Sequence, residues 1–117
     1  MSGMVSYLSG IAAEDCVART YEEAGRQVAF RRWRGKRGEI DLIVRDRGEV
    51  IFVEVKKSRD FQRAAEALSK AQIKRLYLTA AEFLCSEPKG DLTPSRFDVA
   101  LVNGAGEVQI VENALGY

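Results

Sequence analysis

Between residues 38 and 56 the apolar positions fall into two short runs, Ile40-Asp41-Leu42-Ile43-Val44 and Val50-Ile51-Phe52-Val53-Glu54-Val55-Lys56, each interrupted by charge. Period-two alternation puts Val50, Phe52, Glu54 and Lys56 on one face of a strand and Ile51, Val53 and Val55 on the other. An acid and a base therefore share a face with two core residues. The runs are joined by Arg45-Asp46-Arg47-Gly48, turn chemistry that predicts an antiparallel hairpin and brings Asp41 toward Glu54 and Lys56. Two carboxylates buried side by side are costly unless one is protonated, and a divalent metal between them is a natural solution.

The pattern on either side predicts the remaining elements. From residue 6 to 24, Leu8, Ile11, Ala12, Cys16, Ala18, Thr20 and Tyr21 give an imperfect helical stripe, closed by Gly25 as a C-cap. Glu14 lies four residues before Ala18 and seven before Tyr21, so it shares a face with inward-looking positions; an ordinary solvated Glu competes with a functional one. Residues 27–34 alternate as a strand, followed by the basic turn Gly35-Lys36-Arg37-Gly38. A long helix is predicted over residues 61–86, with Phe61, Ala65, Leu68, Leu76, Ala80, Phe83 and Leu84 as its buried stripe and Arg63, Lys70 and Lys74 off it. Gln72 falls inside that stripe, and its amide either bonds within the core or points toward the carboxylates. Both prolines lie in the loop over residues 87–95. Residues 96–102 and 107–111 then read as two strands around Asn103-Gly104-Ala105-Gly106. The expected order is α-β-β-β-α-β-β: an α/β fold with a central mixed sheet flanked by helices, in one domain spanning residues 1–117.

Charge changes the picture more than composition does. The 117 residues, 46% hydrophobic and 30% charged, suit an ordinary globular protein, and no apolar run is long enough to cross a membrane. The first residues lack a basic segment followed by an apolar run, which predicts no secretory signal and a cytoplasmic location. The net charge of +1 conceals an asymmetry, because 16 of the 18 basic residues lie between residues 19 and 75. Six of them fall between Arg26 and Arg37 and flank Phe30 and Trp33, a composition suited to phosphate contacts, with Trp33 itself better read as a core residue. Histidine is absent, which removes imidazole triads and Cys/His zinc sites and leaves carboxylates and lysine for any chemistry. Cys16 and Cys85 stand far apart without a Cys-x-x-Cys pairing and read as core thiols.

Asp41, twelve intervening residues and Glu54-x-Lys56 together resemble the motif of the PD-(D/E)XK nuclease superfamily. Gly10-x-x-x-Glu14-x-x-x-Ala18-x-x-Tyr21, Trp33-Arg34, Gly38-Glu39-Ile40-Asp41-Leu42-Ile43, Phe52-Val53-Glu54-Val55-Lys56 and Arg96-Phe97-Asp98-Val99 resemble, in order, the YraN-like family of predicted endonucleases. The resemblance covers nearly the whole chain. It implies a restriction-endonuclease-like fold, related to Holliday-junction resolvases, with a carboxylate site for Mg²⁺ or Mn²⁺. Asp41 and Glu54 would be metal ligands, Glu14 would add a carboxylate from the first helix, and Lys56 would meet the scissile phosphate or the attacking water. Apart from the resemblance, the basic segment offers Arg34, Lys36 and Arg37 as phosphate contacts, and Gln72, which stands where the resemblance leads one to expect Lys, is a further candidate for handling the substrate.

The physical chemistry agrees with that implication. Mg²⁺ prefers oxygen ligands and keeps several waters, so two or three carboxylates leave room for a phosphate oxygen and a nucleophile. The leading expectation is a metal-dependent nuclease acting on DNA, in a structured or damaged form rather than a long recognition sequence. The competing expectation is a non-catalytic nucleic-acid-binding or scaffold protein that keeps the nuclease fold. Near-neutral total charge leaves room for a homodimer or a protein partner to add affinity.

Overall fold

The computed structural model describes residues 9–57, 61 and 68–115. Helix α1 (Gly10–Glu23) begins where the Ser9 hydroxyl accepts the Ala12 N–H at 3.0 Å. It ends in two backbone bonds, from Gly25 N to the Glu22 carbonyl and from Arg26 N to the Tyr21 carbonyl. Gly25 makes these possible at φ 82°, a conformation that penalises a Cβ. The buried stripe is Ala13, Val17, Ala18 and Tyr21, whereas Ile11 is 62% exposed. The expected stripe was therefore misplaced in the first turns, where Ala13 faces the core and Ile11 points to solvent. The predicted start at residue 6 lies outside the described residues.

Strands β1 (Gln27–Arg34), β2 (Glu39–Asp46) and β3 (Glu49–Lys57) form an antiparallel meander. Arg47 and Gly48 both take positive φ, 52° and 87°, as a two-residue hairpin matched to strand twist requires. Strand β4 (Ser95–Val102) pairs parallel with β3, and β5 (Val108–Val111) pairs antiparallel with β4. A five-stranded mixed sheet results, in the order β1-β2-β3-β4-β5. Helix α2 (Lys70–Leu84) belongs to the crossover between the parallel strands. The order α-β-β-β-α-β-β is that expected from the sequence and is consistent with a restriction-endonuclease-like fold.

The two sheet faces carry separate cores. On one face Leu42, Val44, Ile51, Val53, Ala100 and Val102 pack against the stripe of α1. On the other, Ile40, Ile43, Val50, Phe52 and Phe97 pack against Leu76, Ala80, Phe83 and Leu84 of α2. Trp33 joins that second core edge-on to Phe83 at 5.4 Å, so its core reading holds. No described helix is long and apolar enough to cross a membrane.

Two expectations are corrected here. The long helix over residues 61–86 is broken, because Leu68 and Ser69 are not helical and α2 starts at Lys70. Ser69 and Gln72 form a reciprocal capping box there: Ser69 Oγ accepts from Gln72 N at 3.2 Å and Gln72 Oε1 accepts from Ser69 N at 2.7 Å. The apolar periodicity ran through the break because Phe61 and Leu68 still pack on the sheet, against Val99 and Leu101. Ala65 of the expected stripe, and Arg63 off it, lie outside the described residues. The second correction is Cys85, which is exposed at the C-cap of α2 rather than buried; Cys16 is half-buried.

Candidate metal and phosphate site

Asp41 sits where the regular ladders stop. The β2–β3 pairing runs from Asp46↔Glu49 to Leu42↔Val53, and Asp41 is the next residue, level with Glu54. Its Oδ2 accepts the Val55 backbone N–H at 2.8 Å, so the side chain takes over the hydrogen bond a continuing strand would have made. The carboxylate is thereby drawn to the end of β3 that carries Glu54 and Lys56. Along β2 the strict alternation slips once, since Ile40 and Ile43 pack in the same core.

Glu54 is the most perturbed acid of the group. Burial, then the hydrogen bond and the negative charge of Asp41, raise its pKa from 4.5 to about 9, with Lys56 pulling the other way and Glu14 adding to the rise. The side chain is only 14% exposed, and Lys56 Nζ stands 3.9 Å from Glu54 Oε2. Where no cation is present, burial and the neighbouring Asp41 charge therefore favour the protonated form of Glu54 at neutral pH. Glu54 also lines a cleft of about 220 Å³ with Gly38, Glu39, Gln72, Arg75, Leu76 and Thr79. Gln72 thus caps α2 and borders the carboxylate cleft at once.

Glu14 approaches from α1 with a side chain 13% exposed, near enough for its charge to act on Glu54. Its own partner is a cation, however: Arg32 Nε donates to Glu14 Oε1 at 2.9 Å. Among the described residues no three of His, Cys, Asp and Glu stand close enough together to hold a metal ion. The structure brings Asp41, Glu54 and Lys56 to one end of the hairpin and leaves Glu14 beside them, tied to Arg32. The chemistry of the donor set fits Mg²⁺ or Mn²⁺, because the neighbouring carboxyls are hard oxygen donors whose mutual repulsion a cation's charge relieves.

Outside the cleft runs a basic groove that the sequence showed only in part. Arg34, Lys36 and Arg37 from the β1–β2 turn line it with Gly35, Gly38, Glu39 and Arg75, and Lys36 and Arg37 continue with Ala71, Lys74, Arg75 and Leu78 of α2. The turn is fixed by two bonds, Gly35 N to the Gly38 carbonyl and Lys36 N to Glu82 Oε1, both 2.9 Å. Gly38 permits the close approach, since a Cβ there would lie 3.0 Å from Thr79 Oγ1 and 3.2 Å from the Arg75 chain. Arg34 is mostly solvated and pairs with Glu39 at 3.1 Å. Lys74 was read only as a residue off the helix stripe and Arg75 was not singled out, because basic residues off such a stripe usually mean only a solvated face. Arg75 is the cation that borders both groove and cleft, with Gly38 and Glu39.

A model of the Uncharacterised protein family UPF0102 matches residues 13–102, which take in Glu14, Asp41, Glu54 and Lys56. A UPF0102 protein of Ruegeria pomeroyi is 60% identical over 115 residues, covering 98% of this chain and 94% of that protein. One from Cereibacter sphaeroides is 60% identical over 114 residues, 97% of each chain. A third, from Dinoroseobacter shibae, is 46% identical over 111 residues, 95% of this chain and 83% of that protein.

Proposed function

The chain belongs to the uncharacterised protein family UPF0102, and on that premise we propose that it is a metal-dependent endonuclease of the PD-(D/E)XK kind that hydrolyses phosphodiester bonds in DNA. The observation that carries this reading is the part-buried Glu54 with Asp41 and Lys56 beside it at the end of the hairpin, lining a cleft that is continuous through Arg75 and Gly38 with a basic groove. A purely structural role would not need two carboxyls placed together at such an electrostatic cost.

Asp41 and Glu54 would hold the metal, with Glu14 as a third carboxylate. Bound there, Mg²⁺ or Mn²⁺ supplies a neutralising charge for the phosphate and acidifies water. The chain's own residues do the rest. The Lys56 ammonium, at the mouth of the carboxylate pair, stabilises charge developing on the phosphate oxygens or orients the attacking water. Arg75, Lys36 and Arg37 hold flanking phosphates, which fixes the backbone without reading sequence. Gln72 offers its amide nitrogen to the substrate from the lip of the cleft. Phosphate-based contacts favour structured or damaged DNA as the substrate over a long recognition sequence, with a second copy or a partner protein adding affinity.

The specific observation favouring a non-catalytic nucleic-acid-binding or scaffold protein is the Arg32–Glu14 pair, which occupies the third acid with one of the chain's own cations. A panel of duplex, single-stranded, flap and four-way-junction DNA, incubated with Mg²⁺, Mn²⁺ or EDTA, separates the two. Cleavage of at least one substrate with metal and none with EDTA is expected. Tight binding with no cleavage by either metal would leave the scaffold reading in place.

The groove makes its own prediction. Replacing Lys36, Arg37 and Arg75 together by Ala should weaken binding and reduce the slope of log affinity against log salt by roughly 0.7–0.9 for each phosphate no longer neutralised. Fluorescence anisotropy over a salt series measures it. A slope equal to wild type would show that these cations are merely solvated.

A further inference from the structure

Arg32 is a strand residue with an unusual backbone. Its φ is 52°, although it is not glycine and is flanked by residues paired in the β1–β2 ladder, Arg31↔Leu42 and Trp33↔Ile40. No pairing joins Arg32 to Asp41, the residue it would face in that register. Left-handed backbone at a non-glycine residue costs free energy and persists where surrounding structure fixes it, a condition that gathers at functional sites. Here the distortion aims a guanidinium at the acids of the candidate site. Arg32 Nε bonds Glu14 at 2.9 Å, and its positive charge is favoured further by Glu39 and Asp41. The pair is asymmetric, since Arg32 is 47% exposed and Glu14 only 13% exposed. One partner is thus available to a ligand from solvent while the other stays at the buried acids.

Resting on the nuclease reading above, we infer that Arg32 is a positioning residue that keeps Glu14 off the metal until a substrate phosphate takes its guanidinium. A phosphodiester is a better partner for the solvent-facing side of Arg32 than water, because the guanidinium fork binds phosphate oxygens bidentately. Once Arg32 turns to phosphate, Glu14 is left near-buried beside Asp41 and Glu54 without its cation, and the divalent metal becomes its counter-ion. Metal and phosphate then bind cooperatively, and by linkage each tightens the other by the same factor. Arg31 provides an internal comparison. It makes a similar ion pair one residue away, with Asp15, in which both partners are about half exposed.

The test is Mn²⁺ affinity, read from the free-ion electron paramagnetic resonance signal, with and without dimethyl phosphate at matched ionic strength. In wild type, dimethyl phosphate should tighten Mn²⁺ binding. Arg32→Gln should bind Mn²⁺ more tightly than wild type in its absence, by roughly two- to fivefold, the fold-change a part-exposed ion pair can supply, and should respond little to its addition. Arg32→Lys should restore part of the response, and Glu14→Gln added to Arg32→Gln should cancel the gain. Circular dichroism and a thermal melt establish that each variant is folded. If Arg31→Gln tightens Mn²⁺ as much as Arg32→Gln does, general charge removal accounts for the effect and the inference is overturned. It is overturned alone if Mn²⁺ binds wild type through Glu54 but Arg32→Gln gains nothing. Should no Mn²⁺ binding depend on Glu54 at all, the nuclease reading falls first and takes the inference with it.

Discussion

In EDTA at pH 8 the Glu54→Gln variant is expected to melt above wild type by several degrees, and with Mg²⁺ or Mn²⁺ it is expected to show no phosphodiesterase turnover. The two effects share one cause. Burial and Asp41 raise the Glu54 pKa from 4.5 to about 9 in the folded protein, so between those values folding takes up a proton. For a group whose folded pKa is raised, the linked stability is complete below about pH 4.5 and is lost as pH climbs toward 9. The loss approaches about 1.4 kcal/mol per pH unit where the unfolded chain is ionised and the folded one is not. Glutamine keeps the size of the side chain and cannot ionise, so the variant lacks this slope. Wild type recovers when Mn²⁺ is added, because a ligand that binds only the folded state stabilises it by mass action. The variant has lost one of the two neighbouring carboxylates, Asp41 and Glu54, and recovers far less. Melting curves from pH 5 to 9, with EDTA and with Mn²⁺, test this together with the cleavage panel. Parallel wild-type and variant curves in EDTA would show that Glu54 is not held protonated by its surroundings.

How far the sequence leads can be seen in which residues it placed. The hairpin and the meeting of Asp41 with Glu54 were legible because strand alternation and the Arg47-Gly48 turn are local signals, and the observed register follows them. The start of α2 was not read correctly, although its capping box, Ser69-x-x-Gln72, is written in the sequence; the apolar periodicity running across the break was the louder signal. That periodicity reports which side faces the sheet, and it persists through a non-helical residue such as Leu68 that still packs inward. Arg32 was legible only as a departure, standing where the family resemblance leads one to expect Asn, and its backbone and partner were not. Nothing in an alternating strand announces a positive φ at an arginine, and its partner Glu14 is 18 residues away. The basic groove was half legible, because the turn cations cluster in sequence whereas Arg75 reaches them only when α2 packs beside Gly38. Local chemistry was thus readable, and what depended on how α1 and α2 dock against the sheet was not.

The largest loss of stability should follow a substitution away from the carboxylate cleft. Asp98 is fully buried and accepts from the Tyr21 hydroxyl of α1 at 2.8 Å, from Arg96 Nε at 3.0 Å and from Asn113 N at 3.0 Å. Burial and the Asp98 charge push the Tyr21 phenol above its usual range, so it remains a donor throughout the neutral region. Arg96 in turn reaches Glu49 and Glu112, and the network ties α1, β3, β4 and the residues after β5 together. Asp98→Ala leaves the hydroxyl, the backbone N–H and the guanidinium without their common acceptor, and removing one partner of a buried ion pair costs on the order of 3–5 kcal/mol. Tyr21→Phe removes a single donor, while Arg96 and Asn113 still satisfy the carboxylate, so its cost is about 0.5–1.5 kcal/mol. Against a total stability of about 5–15 kcal/mol, the first change brings the domain near the limit of folding and the second does not. Urea unfolding followed by circular dichroism ranks them. The network reading requires the midpoint to fall much further for Asp98→Ala than for Tyr21→Phe, with Asp98→Asn between, because an amide keeps an acceptor oxygen but loses the charge that Arg96 meets. Equal midpoints for the three variants would mean that the α1 face is held by its apolar residues alone.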